Sequence, residues 1–97
     1  MQIVKLFVLI RTTYICGNMF HNVFMTDKAT KLKLLGKNIR KYRKLKGYSQ
    51  NKLGELVDMS REHIAKVETA KRTPSLDLIF LIAEKLEIND CDLFKFT

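Results

Sequence analysis

From Lys31 onward the apolar positions recur with a helical period. Leu32, Leu35, Ile39 and Tyr42 stand three and four residues apart, with Lys37, Arg40, Lys41 and Lys44 between them. This spacing predicts a first helix that stops at Gly47, a residue that tolerates the left-handed conformation in which helices end. Ser49 then offers a hydroxyl to cap a second, short helix, whose Leu53, Leu56 and Val57 share a face and which ends near Val57. Asp58-Met59 makes a turn and Ser60 caps a third helix, with Ile64 and Val67 on its inner side and its end near Glu68. Pro74 breaks the pattern, because proline disfavours helical geometry at the residue before it. Ser75 opens a fourth helix in which Leu76, Ile79, Phe80, Ile82, Ala83 and Leu86 are apolar around much of the circumference, as in a helix packed centrally. A last short helix is expected from Asp90 to about Phe96, offering Leu93, Phe94 and Phe96.

Residues 1–27 follow a different pattern. Two runs rich in β-branched and aromatic residues flank the turn signal Gly17-Asn18, which suggests a short hairpin. A second reading starts natural translation at Met25 and makes the first 24 residues an artefact of start-site assignment; both readings stand open. The apolar start is interrupted by Lys5 and Arg11, whereas a spanning helix needs about 20 apolar residues, so a membrane span is excluded. The chain thus divides into an apolar N-terminal extension, 1–27, and one compact all-α domain of five helices, 28–97.

Charge sharpens this division. The net charge is +8, but Lys28 to Arg72 alone carries fourteen Lys or Arg against four acids, a balance of +10. Residues 73–97 come to −3, so the basic character belongs to one segment and points to nucleic acid as its partner. The two cysteines, Cys16 and Cys91, lie far apart without a secretion signal, which suits free thiols in a cytoplasmic protein. Cys16, His21 and His63 do not make the three or four converging ligands that a metal needs. Neither a nucleophile–base motif nor a glycine-rich phosphate loop is present, so the expectation is a protein that is not an enzyme and carries no cofactor.

Two short helices joined by a tight turn, the second bearing outward polar side chains, suit the major groove. That groove is about 12 Å wide, admits one helix and is read by hydrogen-bonding side chains. Arg61, Glu62, Ala65 and Lys66 take the outward positions of the third helix: Arg and Lys donate to guanine O6 and N7, and Glu accepts from cytosine N4.

The stretch from Ser49 through Ile88, SQNKLGELVDMSREHIAKVETAKRTPSLDLIFLIAEKLEI, resembles the Cro/cI-type (XRE-like, lambda-repressor-like) helix-turn-helix family of DNA-binding repressors. With the first helix, the match spans about Leu35 to Phe94, and Ser49 to Glu68 is its helix-turn-helix. The resemblance implies that Gln50 touches the DNA backbone and buttresses the third helix, and that Arg43 and Glu68 form a buried pair. It also implies base contacts for Arg61, Glu62 and Lys66, and phosphate contacts for Ser60, Lys71 and Arg72. Pro74-Ser75-Leu76 matches the family's opening of the fourth helix. Three positions depart from the family. Gly54 stands in place of Ala, at a helix-propensity cost of about 1 kcal/mol; Asp58 replaces the turn glycine; and Thr69-Ala70 replaces the Asn-Gly of the tight turn after the glutamate.

The resulting expectation is a sequence-specific transcriptional regulator, a repressor in the first instance, that binds double-stranded DNA as a homodimer on a palindromic operator. Leu93, Phe94 and Phe96 are expected to form the dimer surface. The alternative is an antitoxin that binds both DNA and a toxin protein, with the first 24 residues as its docking segment. A membrane-surface role rests only on the apolar start and the charge.

Overall fold

The computed structural model describes residues 27–96; the hairpin and start-site readings, the antitoxin docking segment, Cys16 and His21 lie outside the described residues. Four α-helices follow one another: α1 (Lys28–Leu45), α2 (Gln50–Leu56), α3 (Arg61–Glu68) and α4 (Leu76–Leu86). A 3₁₀ helix, Asp90–Phe94, closes the chain, and no strand occurs among the described residues. The expected fifth α-helix is therefore corrected to a 3₁₀ turn. Only five residues long, it is held by Asn89, whose N–H donates to Asp92 Oδ2 at 3.2 Å while its carbonyl accepts from the Asp92 N–H at 3.0 Å.

Each α-helix starts in the same way. The side chains of Asp27, Ser49, Ser60 and Ser75 accept from the N–H groups of Thr30, Lys52, His63 and Leu78, at 2.9, 2.9, 3.0 and 3.1 Å. Because Asp27 caps α1, that helix begins three residues before Lys31, where its first turn is exposed and shows no apolar period.

The four α-helices also end alike. Just past each helix one residue donates back to the carbonyl five residues earlier: Tyr48 to Arg43 (3.1 Å), Met59 to Gly54 (2.8 Å), Lys71 to Lys66 (2.8 Å) and Ile88 to Ala83 (3.0 Å). The residue before each donor takes a left-handed conformation, and only one of these four is glycine. Gly47, Asp58, Ala70 and Glu87 have φ of 79°, 58°, 62° and 59°. Ala70 thus keeps the tight turn that Asn-Gly makes in the family, at a conformational cost of about 1–2 kcal/mol.

The core unites all five segments. Ile39, Leu53, Ile64, Ile82 and Leu93 are wholly buried, one from each element in order. Two close approaches fix how the helices meet. A Cβ on Gly36 of α1 would stand 2.5 Å from the Glu68 carbonyl oxygen and 2.8 Å from that of Val67, so the backbone of α1 rests on the end of α3. A Cβ on Gly54 of α2 would stand 2.6 Å from the Met59 carbonyl oxygen. Gly54, which by propensity alone weakens α2, is thus what lets the α2–α3 turn fold closely over that helix.

The C-terminal residues expected at the dimer surface are instead largely core: Leu93 is 0% and Phe96 8% exposed, and only Phe94 is half-buried. The reason is a tether from α1. Asn38 Nδ2 donates to the Leu93 carbonyl at 2.8 Å and the Lys95 carbonyl at 3.1 Å, folding the tail onto the bundle, with Phe94 and Phe96 in edge contact. The exposed apolar residues of this end lie on α4, where Leu76 and Phe80 are 60% and 45% exposed, so α4 is not buried around its circumference. Among the described residues, no helix is long and apolar enough to cross a membrane.

Candidate nucleic-acid interface

Helix α3 has two sides that differ in chemistry. On the inner side Ile64 and Val67 enter the core, and Glu68 follows them inward. A buried carboxylate is costly unless every oxygen is paired, and here both oxygens are. Arg43 Nε donates to Glu68 Oε2 at 2.6 Å, and its Nη2 donates to Oε1 at 3.2 Å. Gln50 Nε2 adds a third bond to Oε1 at 3.1 Å. The remaining Arg43 nitrogen, Nη1, donates to the Tyr48 carbonyl at 2.7 Å. The Glu68 and Arg43 side chains are 1% and 7% exposed. The carboxylate therefore joins α1 and the first residue of α2 to the last turn of α3, and Arg43 extends the link to the loop before α2.

On the outer side Arg61 and Glu62 are exposed and Lys66 is half-buried. Lys66 Nζ lies 3.6 Å from Glu62 Oε2, one helical turn apart, so this cation and this acceptor share one patch. The side chains of Arg61, Lys71 and Arg72 make no hydrogen bond or ion pair among the described residues. Ser60 spends its oxygen accepting from the His63 N–H and keeps its own O–H to donate.

A shallow depression beside α3 is lined by Ser60, Glu62, His63, Lys66 and Arg72. It gathers two residues expected to touch phosphate, Ser60 and Arg72, with two expected to read bases, Glu62 and Lys66. Arg61, Lys71 and Gln50 do not line it. His63 does, and sequence reasoning had weighed it only as a metal ligand. Its spacing, three residues after the Ser60 cap and three before Lys66, was the available signal. The side chains here are donors and acceptors pointing outward. No group of three or more His, Cys, Asp or Glu converges among the described residues, and Cys91 is a free, half-buried thiol.

A capped second helix, a left-handed turn at Asp58, and a capped third helix with a locked inner face and a polar outer face are the parts of a helix-turn-helix reader. Residues 39–93 match the family model described as helix-turn-helix, and the chain belongs to that family, the Cro/cI-type (XRE-like) group of DNA-binding transcriptional regulators. Among its relatives is SlrR, an HTH-type transcriptional regulator of Bacillus subtilis (strain 168), 36% identical over 62 residues. Those residues are 63% of this chain and 41% of SlrR, so the chain spans about two fifths of that relative's length. Among solved structures, the restriction-modification controller protein C.AhdI from Aeromonas hydrophila is 34% identical with a TM-score of 0.65, over 67% of this chain and 98% of that one. A hypothetical transcription factor from Neisseria, NHTF, is 26% identical with the same TM-score of 0.65, over 71% of this chain and 79% of its own.

Proposed function

We propose that this protein is a sequence-specific transcriptional regulator, a cytoplasmic repressor, that reads its operator with α3 in the major groove. The observation that carries this reading is the division of α3 into a locked inner side and an outer side whose Arg61 is exposed and unpaired among the described residues. Arg61 and Lys66 donate to guanine edges and Glu62 accepts from cytosine. Ser60, Lys71 and Arg72 take backbone phosphates at the groove edge, and Gln50, held by Glu68, sets the first turn of α2 against the same backbone.

The protein acts as a homodimer on a pseudo-palindromic operator, with two copies of α3 about 34 Å apart. The segment Lys28 to Arg72 is too basic for two copies to approach there, which leaves the acidic end carrying α4. Leu76 and Phe80, one turn apart and exposed beside Asp77 and Glu84, suit that contact. Phe80→Asp is expected to elute as a monomer on sizing, whereas an unchanged dimer rules this surface out.

The decisive experiment for the function is selection of bound duplexes from a random DNA pool. The expected product is an inverted repeat whose half-sites lie about one helical turn apart. Equal recovery of every sequence sinks the reading.

A further inference from the structure

Helix α1 carries more positive charge than α3 and its flanking loop can use. Between Lys28 and Leu45 there are eight basic residues and no acid, and among the described residues only Arg43 of the eight is in a salt bridge. Lys33, Lys37, Arg40 and Lys44 follow one another at spacings of four, three and four, which sets them in one stripe. All four are exposed, and their side chains make no hydrogen bond or ion pair among the described residues. Lys41 lies beside them, its Nζ 5.2 Å from the centre of the Tyr42 ring. Like charges one turn apart repel and weaken a helix, so a stripe of this kind stands at a cost unless an anion meets it. Asp27, the cap of α1, is the one acid of the N-terminal extension, since residues 1–26 contain no Asp or Glu.

The stripe is continuous with the interface already described. Lys33 and Arg40 sit one turn before and one turn after Gly36, on the flank of α1 that rests on the Val67 and Glu68 carbonyls. The end of α3 therefore meets α1 beside the stripe, and the exposed Lys71 and Arg72 follow that end within four residues. From Lys33 to Lys44 it extends about 16 Å, the length of roughly five base pairs.

We infer that Lys33, Lys37, Arg40 and Lys44 form a second, sequence-independent phosphate track on which duplex DNA flanking the α3 half-site lies, a reading that rests on the function proposed above. The chemistry of the stripe selects this occupant. A protein partner needs apolar anchors at the centre of its interface, and lysine is depleted there; the stripe is four cations with no apolar residue among them. A membrane surface needs the apolar face of the helix to embed, but Leu35 and Ile39 of α1 are buried in the core.

The test compares the wild type with K33Q/K37Q/R40Q/K44Q by fluorescence anisotropy at several salt concentrations. One duplex holds the selected operator alone, and a second holds the same operator with flanking DNA on both sides. The wild type is expected to bind the long duplex more tightly. The variant should bind the short duplex as the wild type does and lose the gain from the flanks, with its salt slope on the long duplex reduced by about 3 to 4 per protomer. Circular dichroism confirms the fold of the variant, and the pair K33Q/K37Q and R40Q/K44Q, each expected to lose about half of that slope, serves if the quadruple change does not fold. An unchanged flank gain and slope overturn the track. So does a variant that keeps both but no longer binds anionic vesicles or an acidic protein. If the wild type itself binds no duplex in an Arg61-dependent way, the function proposed above falls, and the track with it.

Discussion

The inner and outer sides of α3 share eight residues of one helix and obey opposite rules. Inside, every polar atom of the Glu68 carboxylate has a partner, and the chain supplies them from two separate helices, Arg43 of α1 and Gln50 of α2. Outside, Arg61 has no partner among the described residues and Lys66 has only a loose one at 3.6 Å. A side that is fully satisfied does its work in the folded protein alone. A side left unsatisfied at the surface is completed by something that binds. On the proposed function, stability and recognition separate along a line drawn lengthwise through a single short helix, and substitutions on the two sides should be read by different instruments.

The largest effect is expected from Glu68→Ala. Removing one member of a buried pair leaves the other charged and unpaired, at a cost of about 3–5 kcal/mol, against a total stability of roughly 5–15 kcal/mol for a domain. Urea unfolding should show a much lower midpoint. In a double-mutant cycle, Arg43→Met with Glu68→Leu should cost less than the sum of the single changes, since neither charge is then stranded. Additive costs would mean that the two do not act as a pair.

Gly36→Ala comes next. Its Cβ would meet backbone at 2.5 Å, so α1 must move away from α3, an overpacking cost of about 1–3 kcal/mol. A thermal midpoint equal to that of the wild type would falsify the close approach.

On the outer side, Arg61→Ala should leave unfolding within about 0.5 kcal/mol of the wild type, while discrimination at one base pair falls by about 1–3 kcal/mol. Lys71→Ala should weaken all duplexes alike and lower the salt slope by about 1. If Arg61→Ala instead behaves as Lys71→Ala does, the assignment of base and phosphate contacts is reversed.

The smallest effects lie between the two sides, at the helix ends. Ala70→Gly relieves a left-handed residue at 62° and, after the added entropy of glycine in the unfolded chain, should stabilise by roughly 0.5–1 kcal/mol. Asp58→Gly should gain less, because aspartate tolerates that conformation better.

Glu87→Gln tests charge at an exposed site. Lys46 Nζ lies 2.6 Å from Glu87 Oε1, and this bond holds the carboxyl below its usual range and the ammonium above its own. A depressed carboxyl contributes stability above its unfolded value and loses it as pH falls through the folded one. The raised ammonium contributes below its unfolded value and loses that as pH rises through its folded one. Wild type and Glu87→Gln should therefore differ slightly at neutral pH and converge in acid, as parallel melts across pH would show.

Much of this division was legible in the sequence because it is written in local chemistry. Ser49, Ser60 and Ser75 announce their helices through a hydroxyl three residues from the N–H that it serves, and Ile64 and Val67 mark the inner side of α3 by spacing. The start of α1 was missed because its first turn is solvated and carries no apolar period, so that only the Asp27 cap marked it. Helix ends were less visible. Ala70 and Glu87 have no intrinsic liking for positive φ; the capping bonds and the packing of the next segment impose it.

The tail misled for a related reason. Three apolar residues near a terminus read equally well as an exposed patch or as core, and the deciding contact, Asn38 to the Leu93 carbonyl, spans 55 residues. Composition exposed the basic segment, but not that its charge divides between the outer side of α3 with its following loop and a separate stripe on α1.

Because the backbone of α1 at Gly36 sits directly on the Val67 and Glu68 carbonyls, α3 has no hinge at its C-terminal end. It tilts only when the whole domain tilts. In the proposed dimer, any mismatch between two such rigid bodies and a relaxed double helix must be absorbed by the DNA, whose bending and twisting cost varies with its sequence. Base steps at the middle of the operator, out of reach of every side chain, then enter the recognition code through their stiffness.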